Sequence, residues 1–182
     1  MCIRDSQVLA RVLTDAPSGR LHKALVETKL ATRLDLSAVS NLEPGYRIFG
    51  AVLPKGQPLA PTQDALLKVL EDLKSNPVTE EEVARARQAI GKNIELALNN
   101  SARLTIGLTE AMAAGDWRLF FVNRDQVEKT DAKAVQAAAE KYLKASNRTL
   151  GLFIPTDAAD RTIVPGMVDV AAMVKDLSLI HI

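Results

Sequence analysis

The chain has 182 residues, 47% of them hydrophobic and 4% aromatic, with a formal net charge of +1. That length and apolar content can bury one sizeable core, while a near-neutral, ring-poor composition argues against a basic, base-stacking surface for nucleic acid. No apolar run approaches the ~18 residues that would span a bilayer, and the single cysteine, Cys2, builds neither an intrachain disulfide nor a thiolate metal site.

In chain order, the two ends come first because they belong together. Met1-Cys2-Ile3-Arg4-Asp5-Ser6 opens the chain and Leu177-Ser178-Leu179-Ile180-His181-Ile182 closes it. One DNA spelling of the first, ATG TGT ATA AGA GAC AG, has its reverse complement inside CTG TCT CTT ATA CAC ATC, which encodes the second. The word resembles the transposase tag of sequencing libraries. Residues 1–6 and 177–182 are therefore expected to be tag-derived artefacts and are set aside from fold reasoning. Met1 is then no genuine start, so the lack of a leader carries no meaning, and His22 is the sole imidazole of the remainder.

Within 7–15, Val8, Leu9, Val12 and Leu13 recur at helical spacing. Pro17-Ser18-Gly19 interrupts, and Ser18 is placed to cap a second helix carrying Leu21, Leu25 and Val26 inward. Arg33–Ala38 then alternates apolar and polar residues, the period of a half-buried strand. After a turn at Leu42–Gly45, Tyr46–Leu53 is nearly all apolar and is expected to be a more deeply buried strand. The short connection favours an antiparallel pair, because a parallel one needs a long crossover. Helix returns at Pro61–Lys74 with Leu66, Val69, Leu70 and Leu73 on one side. Next, Thr79 and Glu82 form a capping box, and Val78 with Val83 a hydrophobic staple. The helix they start lines up Val83, Ala86, Ile90, Ile94, Ala97 and Leu98. Leu104, Leu108 and Met112 mark a further helix ending near Gly115, Asp116 caps the one after it, and Asp131 caps a last one. Arg148–Ile154 reads as a strand stopped by Pro155. The order predicts an α+β fold with a partial antiparallel sheet and several helices packed on one face.

Chemistry is sparse. His22 has Ser18 and Val26 four residues to either side, and neither is a metal ligand. It reads as a packing or surface residue. Glu80-Glu81-Glu82 has the look of an acid–base cluster. It sits in a helix's first turn, where exposed N–H groups favour negative charge, and that accounts for it. Arg85, Arg87 and Lys92 are interleaved with Glu and Gln and read as a solvated face rather than a polyanion site. Asn99-Asn100-Ser101 and Asn147-Arg148-Thr149 match the glycosylation triplet, a pattern common by chance. One histidine cannot serve a Ser/His/Asp set, and no phosphate loop is present. No catalytic or metal-binding residue is expected in this chain, and its substrate-binding residues are left open.

Several stretches together resemble the insulinase/pitrilysin-type zinc metallopeptidases. "VLARVLTDAPSGRLHKALVETKLA" resembles the family's helix leading into S-x-R-L-aromatic-x-x-L-x-E. "EPGYRIFGAVL" resembles the strand that follows, "NPVTEEEVARARQAI" the capped helix, and "NRTLGLFIP" the closing strand. "ADRTIVPGMVDVAAMVKD" is similar to the linker of long members with two halves. His22 stands where an aromatic is usual, and Lys29 where a glycine is common. The match is to the second, non-catalytic domain of a half. The first domain carries an inverted H-x-x-E-H motif with a distal Glu, in which the histidines and the distal Glu hold zinc and the motif Glu activates water. None of these residues is in this sequence.

The resemblance implies a non-catalytic, N-terminally truncated domain at 7–155 that helps enclose a peptide-cleaving chamber. A linker at 156–176 would lead toward a further half. No cofactor is expected in this fragment, and zinc is expected in the catalytic domain of the parent chain. That domain is the expected partner, and peptide substrates would be reached through the parent. No nucleic acid and no membrane span are expected. The alternative is a metal-free structural or pairing subunit of the same fold, without peptidase activity. Analogy with long bacterial members points to the periplasm, although no residue separates that from the cytoplasm.

Overall fold

The computed structural model describes residues 3–39, 45–158 and 160–176. Two compact units are present, 1–148 and 149–182. In the first, the described elements are α1 (Ile3–Thr14), a π-helical turn (His22–Glu27), β1 (Arg33–Val39), β2 (Tyr46–Val52), α2 (Leu59–Glu71), α3 (Glu80–Leu98), α4 (Ser101–Ala113), α5 (Leu119–Glu128) and α6 (Ala132–Tyr142). Short 3-10 turns follow α2 (Asp72–Lys74) and α6 (Ala145–Asn147). The second unit has one short helix, α7 (Val170–Val174), started by Asp169, whose carboxylate accepts the Ala172 N–H. The α+β class expected from the period changes is the one observed.

The apolar stripes decide the packing. Val8, Leu9, Val12 and Leu13 of α1 are all buried. α1 lies against α3, α5 and α6 and touches β1. Around it sit Leu21 and Leu25 from the π-helical stretch, Val83, Ala86 and Ile90 from α3, and Val135 and Ala139 from α6. Leu70 and Leu73 close the α2 side, with Leu66 and Val69 partly buried beside them, as the helical spacing required. Burying each of the larger side chains stabilises by roughly 1.5–3 kcal/mol, so this cluster is what holds the unit together.

Helix boundaries follow the capping chemistry. The Glu82 N–H donates to Thr79 Oγ1 at 3.2 Å, and the Thr79 N–H donates to Glu82 Oε2 at 2.9 Å, completing the box at the head of α3. Val78 and Val83, the staple pair, are both buried. Asp131 accepts the Ala134 N–H at 2.8 Å and starts α6. Asp116, expected as the cap of α5, instead accepts the Arg118 N–H at 2.8 Å in the turn before the helix, whose N-cap position is Arg118 and has no side-chain capping bond. Ser18 makes no capping bond among the described residues. Instead the Lys23 N–H reaches back to the Gly19 carbonyl. Gly19 is buried, and a Cβ there would stand 2.7–2.8 Å from backbone atoms of Leu13 and Asp15. No residue larger than glycine fits this bend.

β1 and β2 pair antiparallel, Arg33 opposite Val52 through Val39 opposite Tyr46. Leu34, Phe49 and Ala51 pack on the helices. β2 is the more buried strand of the pair, as expected, with four of its seven residues partly buried against two in β1, although Tyr46 and Ile48 on its outward face are 58% and 51% exposed. Helices cover one face of the pair, and alternate residues of β2 point to the other. The expected turn at Leu42–Gly45 falls almost wholly on 40–44, outside the described residues, as do Met1, Cys2 and 177–182. Of the opening six residues, Ile3–Ser6 form the first turn of α1, Asp5 is buried, and Arg47 of β2 donates to Ser6 Oγ at 3.2–3.3 Å.

The strand expected at Arg148–Ile154 is not formed. Residues 149–154 are irregular, with Leu150, Leu152, Phe153 and Ile154 all exposed. A strand exists only where a neighbouring backbone pairs with it, and among the described residues the sheet consists of β1 and β2. Composition and alternation register β propensity, which is a fit to a pleated neighbour rather than a property of the segment alone.

Candidate functional site

The densest polar arrangement lies where the π-helical stretch meets the head of α3. Arg20 projects across to Glu82, donating from Nε to Oε1 at 2.8 Å and from Nη2 to Oε2 at 2.7 Å. Two further N–H groups, on Nη1 and Nη2, go to the carbonyls of Asn76 (2.5 Å) and Pro77 (2.8 Å), which lead into the capping box. Both side chains retain about 15% of their exposure, at 14% and 15%. Burial pushes the Glu82 carboxyl up, but the bonds from Arg20 and from the Thr79 N–H outweigh it and hold it at about 2. Glu82 therefore works as a charged anchor, with its oxygens committed to Arg20 and Thr79.

The rest of the acidic cluster is equally occupied. Glu80 accepts the Ala132 N–H at 2.9 Å, tying the head of α3 to the head of α6. Glu81 pairs with Arg85 one turn on. Arg87 is not part of a solvated face: its Nη1 donates to the carbonyls of Glu128 (3.1 Å) and Thr130 (3.0 Å) at the end of α5. A guanidinium there satisfies helix-end carbonyls and favours the negative end of the helix dipole. The reading of Arg85, Arg87 and Lys92 as one exposed group is corrected in that respect. Lys92 is exposed. Of the glycosylation triplets, Asn99 is exposed at the end of α3, whereas Asn147 donates to the Tyr142 carbonyl at 2.9 Å.

His22 is mostly buried. Its Nδ1 is shielded from solvent without a hydrogen-bond partner among the described residues and lies 3.9 Å from a Glu27 carboxylate oxygen. One imidazole and one carboxylate are short of the three or four donors that zinc takes. Among the described residues no group of three or more His, Cys, Asp or Glu is placed to hold a metal. The donor set does not fit a zinc centre, and no chemical step is derived through one.

Two hollows flank these elements. The first, about 10 Å³, lies between Arg11, Asp15, Ser18, Glu82 and Arg85 and is too small for more than a water. The second, about 270 Å³, lies between the end of α2 and the end of α6. Leu70, Leu73, Ala139 and Leu143 line it, with Glu71, Lys74, Glu140 and Lys144 among its charged neighbours. Neither brings together a nucleophile, a base and an oxyanion donor. Among the described residues no helix is long and apolar enough to cross a membrane.

Lys29 ends the π-helical stretch with φ at +62°, a backbone region that glycine enters freely and lysine does not. The Lys29 N–H returns to the Val26 carbonyl (3.0 Å) and the Ala31 N–H to Leu25 (2.8 Å), closing the helix end. The local geometry is the one a glycine serves best.

Comparison with known proteins bears on this geometry. Residues 4–90 match the family model described as the peptidase M16 inactive domain. Among solved structures, a candidate zinc protease from Bordetella pertussis Tohama I is 39% identical, with 85% of this chain and 86% of that chain covered and a TM-score of 0.78. The inactive peptidase domain of a candidate zinc protease from Bordetella parapertussis is also 39% identical, covering 90% of this chain and 87% of that one, with a TM-score of 0.79. A protease from Helicobacter pylori shares the fold at 17% identity and a TM-score of 0.67, over 79% of this chain and 35% of its own length. No curated protein matches. An α+β unit whose charged residues serve its own framework, matched over most of its length by such a domain, has one family: the chain belongs to the peptidase M16 inactive-domain family.

Proposed function

We propose that this chain is the non-catalytic domain of a zinc metalloendopeptidase and helps enclose the chamber in which peptides are cut. The observation that carries this is the 39% identity, over 90% of the chain, to a domain described as inactive in a candidate zinc protease. The use of Arg20, Glu80, Glu82 and Arg87 as framework contacts supports it, because each makes hydrogen bonds to other elements of the fold. On this reading, 7–155 is the domain, 156–176 the linker toward a further half, and the segments 1–6 and 177–182 are tag-derived. Zinc and the water-activating carboxylate belong to a companion peptidase domain of the parent chain. No residue here takes a catalytic role.

The test pairs this chain with the peptidase domain encoded upstream of it in the parent gene. Hydrolysis of a quenched fluorescent peptide is followed with each alone and with both together, and zinc is counted by atomic absorption. The expected result is activity at least ~10-fold higher with both present, from the ordering of a shared binding surface, and zinc that partitions with the companion. Equal cleavage by the companion alone, or stoichiometric zinc on this chain, overturns the proposal. An upstream gene lacking H-x-x-E-H would overturn the enzyme reading in favour of a metal-free pairing subunit.

A further inference from the structure

We draw no further inference here: the strongest candidate, the apolar cleft between the end of α2 and the end of α6 lined by Leu70, Leu73 and Leu143, carries nothing because nothing in the structure shows what covers it.

Discussion

Replacing Arg20 with alanine removes both bonds to Glu82 and both bonds to the Asn76 and Pro77 carbonyls. The magnitude follows from the carboxyl it holds. A fall from 4.5 to about 2, at about 1.4 kcal/mol per pH unit, sets a ceiling of ~3 kcal/mol on what favours the Glu82 carboxylate in the folded state. Thr79 supplies part of that and survives the substitution. Solvent reaches the pair and screens it, so the share carried by Arg20 is about 1–2 kcal/mol. Because the folded-state value is depressed, this stability is fully present above pH 4.5 and is lost as the pH falls toward 2. Urea unfolding of the natural chain and the Arg20→Ala variant at a series of pH values reads it directly. The two should differ by about 1–2 kcal/mol at pH 7, and the gap should narrow below pH 4.5. Glu82→Gln keeps a capping box but carries no charge, and its unfolding curve should lose the same acid limb. A difference that stays constant from pH 7 to pH 2.5 would refute the assignment of that energy to the ion pair.

Other positions test the backbone and the packing. Lys29→Gly should raise stability by roughly 0.5–1 kcal/mol, since the left-handed conformation strains a lysine more than the added unfolded-state freedom costs; thermal melting that shows a loss would contradict this. Gly19→Ala should destabilise by about 3 kcal/mol, the upper end for overpacking, because the new methyl meets three backbone atoms of Leu13 and Asp15; a melt unchanged from the parent would contradict it. Gly107→Ala places a methyl 2.9 Å from the Phe120 ring, which stacks edge-on to Phe121, itself edge-on to Trp117. It should cost about 1 kcal/mol and shift the emission of Trp117, the sole tryptophan; an unaltered spectrum would count against the coupling.

What the sequence made legible was local. The stripe of α1, the box at Thr79 and Glu82 and the cap at Asp131 each depend on residues within a turn or two, and spacing alone locates them. Arg20 was legible only as a letter in a family motif, because its partner lies 62 residues away and no periodicity links the two. The same holds for Arg87 and the α5 carbonyls 41 and 43 residues on. Glu80 was assigned to its own helix end, whereas its carboxylate serves the start of α6. The departure at Lys29 from a common family glycine was visible in the sequence, and the positive φ gives it a physical meaning. The exposure of Tyr46 and Ile48 on the outward face of β2 and the irregular course of 149–154 were not legible, for a shared reason. Both depend on which neighbours a sheet acquires, and apolar content does not encode that. The π-helical geometry of His22–Glu27 had no signal that spacing could detect.

The position of α1 in the chain has a consequence for synthesis. Within this domain α1 is made before the surfaces that shelter it, which belong to α3, α5 and α6, the last ending at Tyr142. Its apolar side is covered in stages, by Leu21 and Leu25 early, by α3 next, and by α6 only after more than a hundred further residues of translation. Closure over that sequence distance is slow and leaves a partly covered nascent chain prone to clumping.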